Sequence, residues 1–220
     1  MENFCKICGT KTSRHHHARM DCDYEVCSEC EFIARSEADR ISEAEEFGIY
    51  EMHQNAIEDQ HYVDYFKRFI DRAILPFKTS EQKHALDFGS GPSPVLAEIL
   101  KRDYGYTVDI YDYFYAPEKI YQGKRYDLIT STEVVEHLWN PLGAFRLFST
   151  LMKEEAVLGV KTQFHPRNLT LFDDWHYIRD QSHVSFFTPK TMEVIAGKTG
   201  LRLVWTDEDS YSVFELRTQK

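Results

Sequence analysis

Apolar and polar positions along this chain follow two periods. From residue 84 onward, short apolar runs at 85–88, 106–111, 127–131, 156–162, 201–206 and 211–216 read as strands. Between them, 94–102, 141–152 and 189–198 read as helices, each opened by a polar residue followed by proline: Ser93-Pro94, Asn140-Pro141 and Thr188-Pro189. Ser93 is the expected N-cap of the first, with Pro94 at the first helical position, where its missing N–H costs nothing. Upstream, 57–75 places Tyr62, Tyr65, Phe66, Phe69, Ile70, Ala73 and Ile74 on one helical face, with Lys67, Arg68, Asp71 and Arg72 opposite. Pro76 ends that helix, which is expected to pack on the edge of the main domain. Residues 35–46 are acidic and predict a solvated helix. The stretch Tyr50-Glu51-Met52-His53-Gln54-Asn55 is rich in hydrogen-bonding groups, so it either lines a pocket or faces solvent. Alternating strands and helices predict an α/β chain with a doubly wound, mostly parallel sheet. Ligands of such sheets bind beyond the carboxyl ends of the strands, at the topological switch point.

With 220 residues, the chain accommodates one α/β domain and a small appendage. A hydrophobic content of 42% with 14% aromatic residues excludes disorder. The net charge of -10 disfavours nucleic acid as a partner unless a basic patch overrides it. No such patch exists: the run from Lys11 to Arg19 owes its look to His15, His16 and His17. No apolar run is long enough to cross a bilayer, and the N-terminus lacks the basic start and hydrophobic block of a secretory signal. All five cysteines fall within the first thirty residues, which fits a metal site in a reducing compartment and a cytoplasmic location.

Cys5-x2-Cys8 and Cys27-x2-Cys30 form two knuckles eighteen residues apart, the spacing of a zinc-ribbon-like module. Two residues between thiolates let a tight turn aim both sulfurs at one point, and Gly9 follows the first knuckle to relax the backbone. A closed four-sulfur set predicts structural Zn2+ that supplies much of the folding energy of so short a segment. Cys22, which forms no pair, reads as a free thiol on the strand leading to the second knuckle. His15 to His17 read as a solvated turn.

The first strand runs into Gly89-Ser90-Gly91-Pro92. This turn lacks the third glycine of a dinucleotide fingerprint, and no Lys-Ser or Lys-Thr pair follows to grip phosphate. About twenty residues later Asp112 ends the second strand, where a carboxylate can accept both ribose hydroxyls. A glycine turn without phosphate machinery, paired with such an acid, suits a nucleoside whose tail is an amino acid.

Leu86-Asp87-Phe88-Gly89-Ser90-Gly91 resembles the first motif of class I S-adenosylmethionine-dependent methyltransferases, and Asp112 matches their acidic residue after the second strand. Tyr126-Asp127-Leu128-Ile129, then Glu133-Val134-Val135-Glu136-His137-Leu138 and Asn140-Pro141, resembles the fourth strand and following helix of the small-molecule branch. The resemblance runs from about residue 83 onward, and Glu-His-Leu is its most specific part. It implies a Rossmann-like fold whose last two strands form a C-terminal antiparallel hairpin, and a division into a zinc module (1–34), a helical linker (35–80) and the methyltransferase domain (81–220). It also implies S-adenosylmethionine contacts from Asp87, Phe88, Gly89, Gly91, Asp112, Tyr113, Thr132, Glu133 and His137. Within that set, His137 either caps and positions the wall or reaches the pocket. Two departures stand out: residues 113–125 are too few and too polar for a third strand with its helix, and Pro92 replaces the usual small residue after the second glycine.

Residues 164–187 are too long for a simple connection and would sit over the ligand-binding edge. Within them Trp-His-Tyr-x-x-Asp-x-x-His-Val-x-Phe-Phe resembles a run recurring in small-molecule methyltransferases. His183 is the candidate general base, with Asp180 orienting its imidazole and His176 ranked behind it. No helical i, i+4 histidine pair occurs, so spacing gives no ground for a catalytic zinc. The expected function is methyl transfer to a small-molecule acceptor such as a sugar, a quinol or another metabolite. The alternatives are a non-catalytic zinc-ribbon adaptor with a methyltransferase-like binding domain, or a protein methyltransferase. The accepting atom and the oligomeric state stay open.

Overall fold

The structure, a computed structural model, describes residues 3–52, 58–78 and 81–217. Chain order runs β1 (Ser13–His17), β2 (Cys22–Val26), β3 (Ile33–Arg35), α1 (Glu43–Tyr50), α2 (Gln60–Ala73), β4 (His84–Phe88) and α3 (Val95–Tyr104). It continues through β5 (Thr107–Tyr111), β6 (Tyr126–Thr132), α4 (Pro141–Leu151), β7 (Met152–Lys161), α5 (Leu169–Asp174), β8 (Ser185–Phe186), α6 (Pro189–Thr199), β9 (Leu201–Thr206) and β10 (Tyr211–Leu216).

Six strands form the main sheet in the order β5-β4-β6-β7-β10-β9. The first four are mutually parallel, and β10 runs antiparallel to both β7 and β9, giving the expected C-terminal hairpin. Alternation along each strand divides the core between two faces. Leu86, Ile129 and Leu158 pack with Phe145 and Phe148 of α4 and Ile195 of α6. Their neighbours Ala85, Leu128 and Val157 pack with Phe69 and Ile70 of α2 and Ile99 of α3. Gly159 on β7 lets α2 lie close to the sheet, since a Cβ there would meet Ile74 Cδ1 at 2.4 Å. From β4 the chain passes outward to β5, then returns across β4 to β6, so the switch point lies between β4 and β6.

Several expectations need correction. The first sheet helix starts at Val95 with Pro94 as its cap, and no side chain caps it. Ser93 is held out of helical geometry by the proline after it, and its carbonyl accepts from Val95 N at 2.8 Å. The other two proline starts hold: Asn140 and Thr188 cap Gly143 N and Thr191 N. Residues 35–46 are not one helix, because Ser36 and Ser42 each cap a new start, yielding one 3-10 turn (Glu37–Asp39) and then α1. Helix α2 is shorter than the expected 57–75, since Asp59 caps it at Gln60, but it carries every residue of the apolar stripe except Ile74, its C-cap. His53, Gln54, Asn55 and Ile57 lie outside the described residues. Residues 113–125 form turns and one isolated bridge, Asp112 to Ala116, so β5 is the sheet's edge among the described residues.

The N-terminal strands build a second sheet, β1-β2-β3-β8, whose last strand comes from the 164–187 insertion. Ile33 pairs with Phe186 and Ala34 with Ser185. His15 to His17 are strand rather than solvated turn: His17 is 3% exposed and bonds the Asp173 carbonyl at 2.9 Å, and His15 reaches the Asp173 carboxylate at 2.7 Å. Cys22 is a buried free thiol opening β2. Among the described residues no helix is long and apolar enough to cross a membrane.

Candidate functional site

A cavity of about 690 Å³ opens at the switch point, and the bend after β4 forms its floor. Gly89 has φ +87°, and a Cβ there would meet Val134 Cγ2 at 2.1 Å, so both backbone shape and space demand glycine. Gly89 N donates to the Tyr111 carbonyl at 2.7 Å, tying the bend to the end of β5. Asp112 completes the clamp: Oδ2 accepts from Gly91 N at 2.9 Å, while Oδ1 accepts from Phe114 N at 2.9 Å and Tyr115 N at 3.0 Å. The acid thus lies against the bend and on the cavity wall, with a structural duty that spacing did not reveal. Phe88 also faces the cavity, packed between Tyr111 (4.8 Å) and Phe148 (4.9 Å), and Tyr113 stands exposed on the rim.

Asp87 lines the same floor and accepts from Thr130 Oγ1 at 2.9 Å. Burial pushes its carboxyl up to about 7, and the charge of Asp112 adds to that while the Thr130 bond opposes it. Thr132 and Glu133 close the wall at the end of β6, where Glu133 takes a left-handed φ of +52°. Glu133 ion-pairs with Lys161 and accepts from Tyr65 Oη at 2.5 Å. Lys161 lies over the Tyr65 ring at 4.7 Å. Burial opposes ionisation of Glu133, but Lys161 and these hydrogen bonds outweigh it and hold the carboxyl down to about 2. Beneath it Glu136 is fully buried, with Oε1 bonded to Tyr177 Oη. Burial and then the Glu133 charge raise the Glu136 carboxyl well above its ordinary range.

At the far end His137 and His183 meet, ring centroids 4.7 Å apart. His137 Nδ1 donates to the Ser182 carbonyl at 3.2 Å, and His183 Nδ1 donates to the Tyr177 carbonyl at 2.7 Å. Burial, with the neighbouring His183, holds His137 down at about 3, so it stays neutral. Both imidazoles line the cavity, and His137 also ties the wall to the insertion through Ser182, so features of both its readings are present. Asp180 also lines the cavity, but its nearest oxygen is 3.8 Å from His183 Nε2, and its Oδ1 accepts from Ser182 N at 2.9 Å and Ser182 Oγ at 2.5 Å. The Tyr177 carbonyl, not Asp180, therefore orients His183. His176 is exposed and lies outside the cavity lining, because its 3-10 turn points Tyr177 inward instead.

Other wall residues escaped sequence reasoning. Tyr62 and Tyr65 of α2 line the cavity although the apolar stripe assigned them to packing. Their hydroxyls were the available signal, since a buried tyrosine hydroxyl needs a partner. Arg40, Glu43 and Glu46, on and just before α1, form the opposite wall together with Tyr50, the start of the stretch with two open readings, whose ring is 5.2 Å from that of His137. No periodicity marks them.

The four knuckle cysteines converge as their spacing predicts. Cys5 and Cys30 sulfurs are 3.5 Å apart, Cys8 and Cys27 sulfurs 3.4 Å apart, and all four lie within 4.8 Å of one another. Zinc–sulfur bonds of about 2.3 Å place tetrahedral sulfurs roughly 3.8 Å apart, so the set fits such an ion. The Cys5–Cys30 hydrogen bond holds the Cys5 thiol down against the opposing effect of burial and pushes Cys30 up in return, so without a cation this pair favours one thiolate, on Cys5. Gly9 (φ +82°) and Glu31 (φ +62°) each turn left-handed just after their knuckle. The second knuckle is fastened to the sheet domain: His165 Nε2 donates to the Glu31 carbonyl at 2.7 Å and Thr191 Oγ1 to the Cys30 carbonyl at 2.8 Å.

A family model described as a methyltransferase domain matches residues 59–206. No curated protein matches the sequence. Among solved structures, the chain is similar to CalO1, a methyltransferase in calicheamicin biosynthesis determined in an SAH-bound form (TM-score 0.53, 14% identity, 79% of this chain and 58% of that one). It is also similar to the mitomycin 7-O-methyltransferase MmcR (0.51, 12%, 77% and 60%). A third likeness is to an O-methyltransferase family protein from Burkholderia thailandensis (0.52, 13%, 73% and 57%). At such identities the likeness concerns the fold, and the chain spans about three-fifths of the length of these proteins.

Proposed function

The chain belongs to the methyltransferase-domain family, and from that premise we propose that it moves a methyl group from S-adenosylmethionine to a small-molecule acceptor. The observation that carries this reading is one cavity running from the Gly89–Gly91 bend and Asp112 to the His137–His183 pair. The SAH-bound state of the similar CalO1 supports the choice of cofactor. When bound, S-adenosylmethionine supplies an activated methyl on a sulfonium. Asp112 accepts the ribose hydroxyls, and Asp87 holds the amino group of the methionine part. Gly89 and Gly91 let the backbone approach that part, and Phe88, Tyr113, Thr132, Glu133 and His137 complete the wall. The acceptor lies between α1 and the 164–187 insertion, in reach of His183. Because a carbonyl can only accept, Nδ1 of His183 bears the proton and Nε2 is the basic nitrogen offered to the acceptor. In-line transfer also needs the acceptor held in alignment, which the aromatic walls around Tyr50, Tyr62 and Tyr65 can provide. The four cysteines, none of which lines the cavity, hold structural Zn2+.

Calorimetric titration with S-adenosylmethionine, followed by turnover against panels of sugars, quinols and other metabolites, tests the reading. Binding with turnover upholds it. Binding without turnover on any panel overturns the small-molecule reading and leaves the adaptor and protein-methyltransferase alternatives, and absence of binding overturns methyl transfer altogether.

A further inference from the structure

Besides the four cysteines, a second cluster of metal-ligating side chains exists among the described residues, and it is made of groups distant in sequence. Glu136 and His137 come from the 3-10 turn after β6, and His183 from the insertion. One donor atom from each lies within 4.8 Å of the others. Three features suit a cation. First, each imidazole is fixed through Nδ1 by a backbone carbonyl, Ser182 for His137 and Tyr177 for His183, at 3.2 and 2.7 Å. This outer bonding sets the tautomer whose Nε2 has a lone pair, as in metal-ligating histidines. Second, Glu136 is 0% exposed, with Tyr177 Oη on Oε1 and no protein donor on Oε2. Protonated, it can share its proton with the neighbouring Glu133 carboxylate, and a cation beside it would take the place of that proton. Third, donor atoms bonded to one first-row cation at about 2.0–2.2 Å stand roughly 3–4 Å apart, so small side-chain rotations close the set.

We propose that Glu136, His137 and His183 form a second metal site, which takes a divalent first-row transition cation. Two imidazoles and one carboxylate are the donor set of Zn2+, Co2+ or Fe2+ rather than of Ca2+ or Mg2+. His137 and His183 line the cavity, so coordination positions opposite Glu136 open toward the acceptor end, and Asp180 Oδ2, 3.8 Å from His183 Nε2, offers a further oxygen there. The use of the site rests on the methyl-transfer reading: an acceptor hydroxyl ligated at an open position would give its proton more readily to water in the cavity, and its oxygen would then take the methyl group as S-adenosylhomocysteine leaves. His183 then acts as a ligand, and the cation replaces it as the group that activates the acceptor. The metal site itself is independent of that reading.

The test is equilibrium dialysis of the full chain, its cysteine site loaded with zinc, against Co2+ without S-adenosylmethionine or acceptor, followed by elemental analysis and visible spectroscopy. The expected result is one Co2+ per chain beyond the retained zinc, with absorption that lacks thiolate-to-cobalt charge transfer. His137→Ala and His183→Ala each weaken that Co2+ by at least about tenfold while zinc content is unchanged. Glu136→Gln acts likewise, and if its core fails to fold the wild type and histidine variants decide. No additional Co2+ on the wild type at millimolar concentration overturns the proposal. So does additional Co2+ that survives in the His137→Ala/His183→Ala double variant. Because the dialysis involves no methyl transfer, its failure and the failure of the enzymatic reading are separate events.

Discussion

Gly89 shows what one residue does for this site. A methyl group there meets Val134 at 2.1 Å in a left-handed backbone, so Gly89→Ala is expected to destabilise the fold by roughly 2–4 kcal/mol from overpacking and strain together. Chemical denaturation checks it. Asp87 gives a pH signature. Its carboxyl is harder to ionise in the fold than in the unfolded chain, with a value raised from 3.8 to about 7. The folded state therefore binds more protons across that window, and the contribution of Asp87 to stability falls as pH rises from about 4 to 7. The ligand-free Asp87→Asn variant is expected to be more stable than wild type at pH 8, on the order of 3 kcal/mol, and level with it near pH 4. Its affinity for S-adenosylmethionine should be lower and lose the rise with pH that an ionising Asp87 confers. Melting curves and calorimetry at both pH values decide. At this scale Gly89 was legible because turn chemistry restricts residue type, and Asp112 was singled out by its place at the end of the second strand but not for its clamp on the bend. The role of Asp180 was not: a carboxylate near both a histidine and a serine reads the same either way, and the local Ser182 hydrogen bonds prevail.

Elements with a strong period were readable, and those sustained by distant partners were not. The main strands announced themselves as short apolar runs, whereas β3 and β8, three and two residues long, exist because they pair across the chain. Their pairing joins the cysteine knuckles to the acceptor wall: β8 follows His183 by two residues, and Arg35 N bonds the Val184 carbonyl at 2.8 Å. Metal removal should therefore act on the acceptor end first. Chelation of zinc, or Cys8→Ser, is expected to speed hydrogen exchange around 182–187 and abolish turnover, while S-adenosylmethionine affinity stays within about a factor of three. Equal loss of cofactor affinity would show that the knuckles support the whole cavity. Helix α1 was legible as an acidic helix but not as a wall, since none of its residues is buried and its placement depends on tertiary packing.

Across the whole molecule, the alternation of strands and helices sufficed for the fold class, and the fold brings every residue expected to meet the cofactor to one cavity at the end of the sheet. The shape of the cavity was beyond sequence, because α1, α2 and the insertion converge on it from 40 to 183. Net charge of -10 carries its own expectation: labelled single- or double-stranded RNA should not be retained at physiological salt in a fluorescence anisotropy assay. The central claim is that the bend after β4 and Asp112 together hold an adenosyl cofactor. Calorimetric titration of wild type and Asp112→Ala with S-adenosylmethionine meets it directly. One molecule should bind per chain, with affinity falling at least about tenfold, or about 1.4 kcal/mol, in the variant. Absence of heat and of any thermal shift in the wild type at millimolar S-adenosylmethionine, or equal affinity in a folded Asp112→Ala, would contradict it.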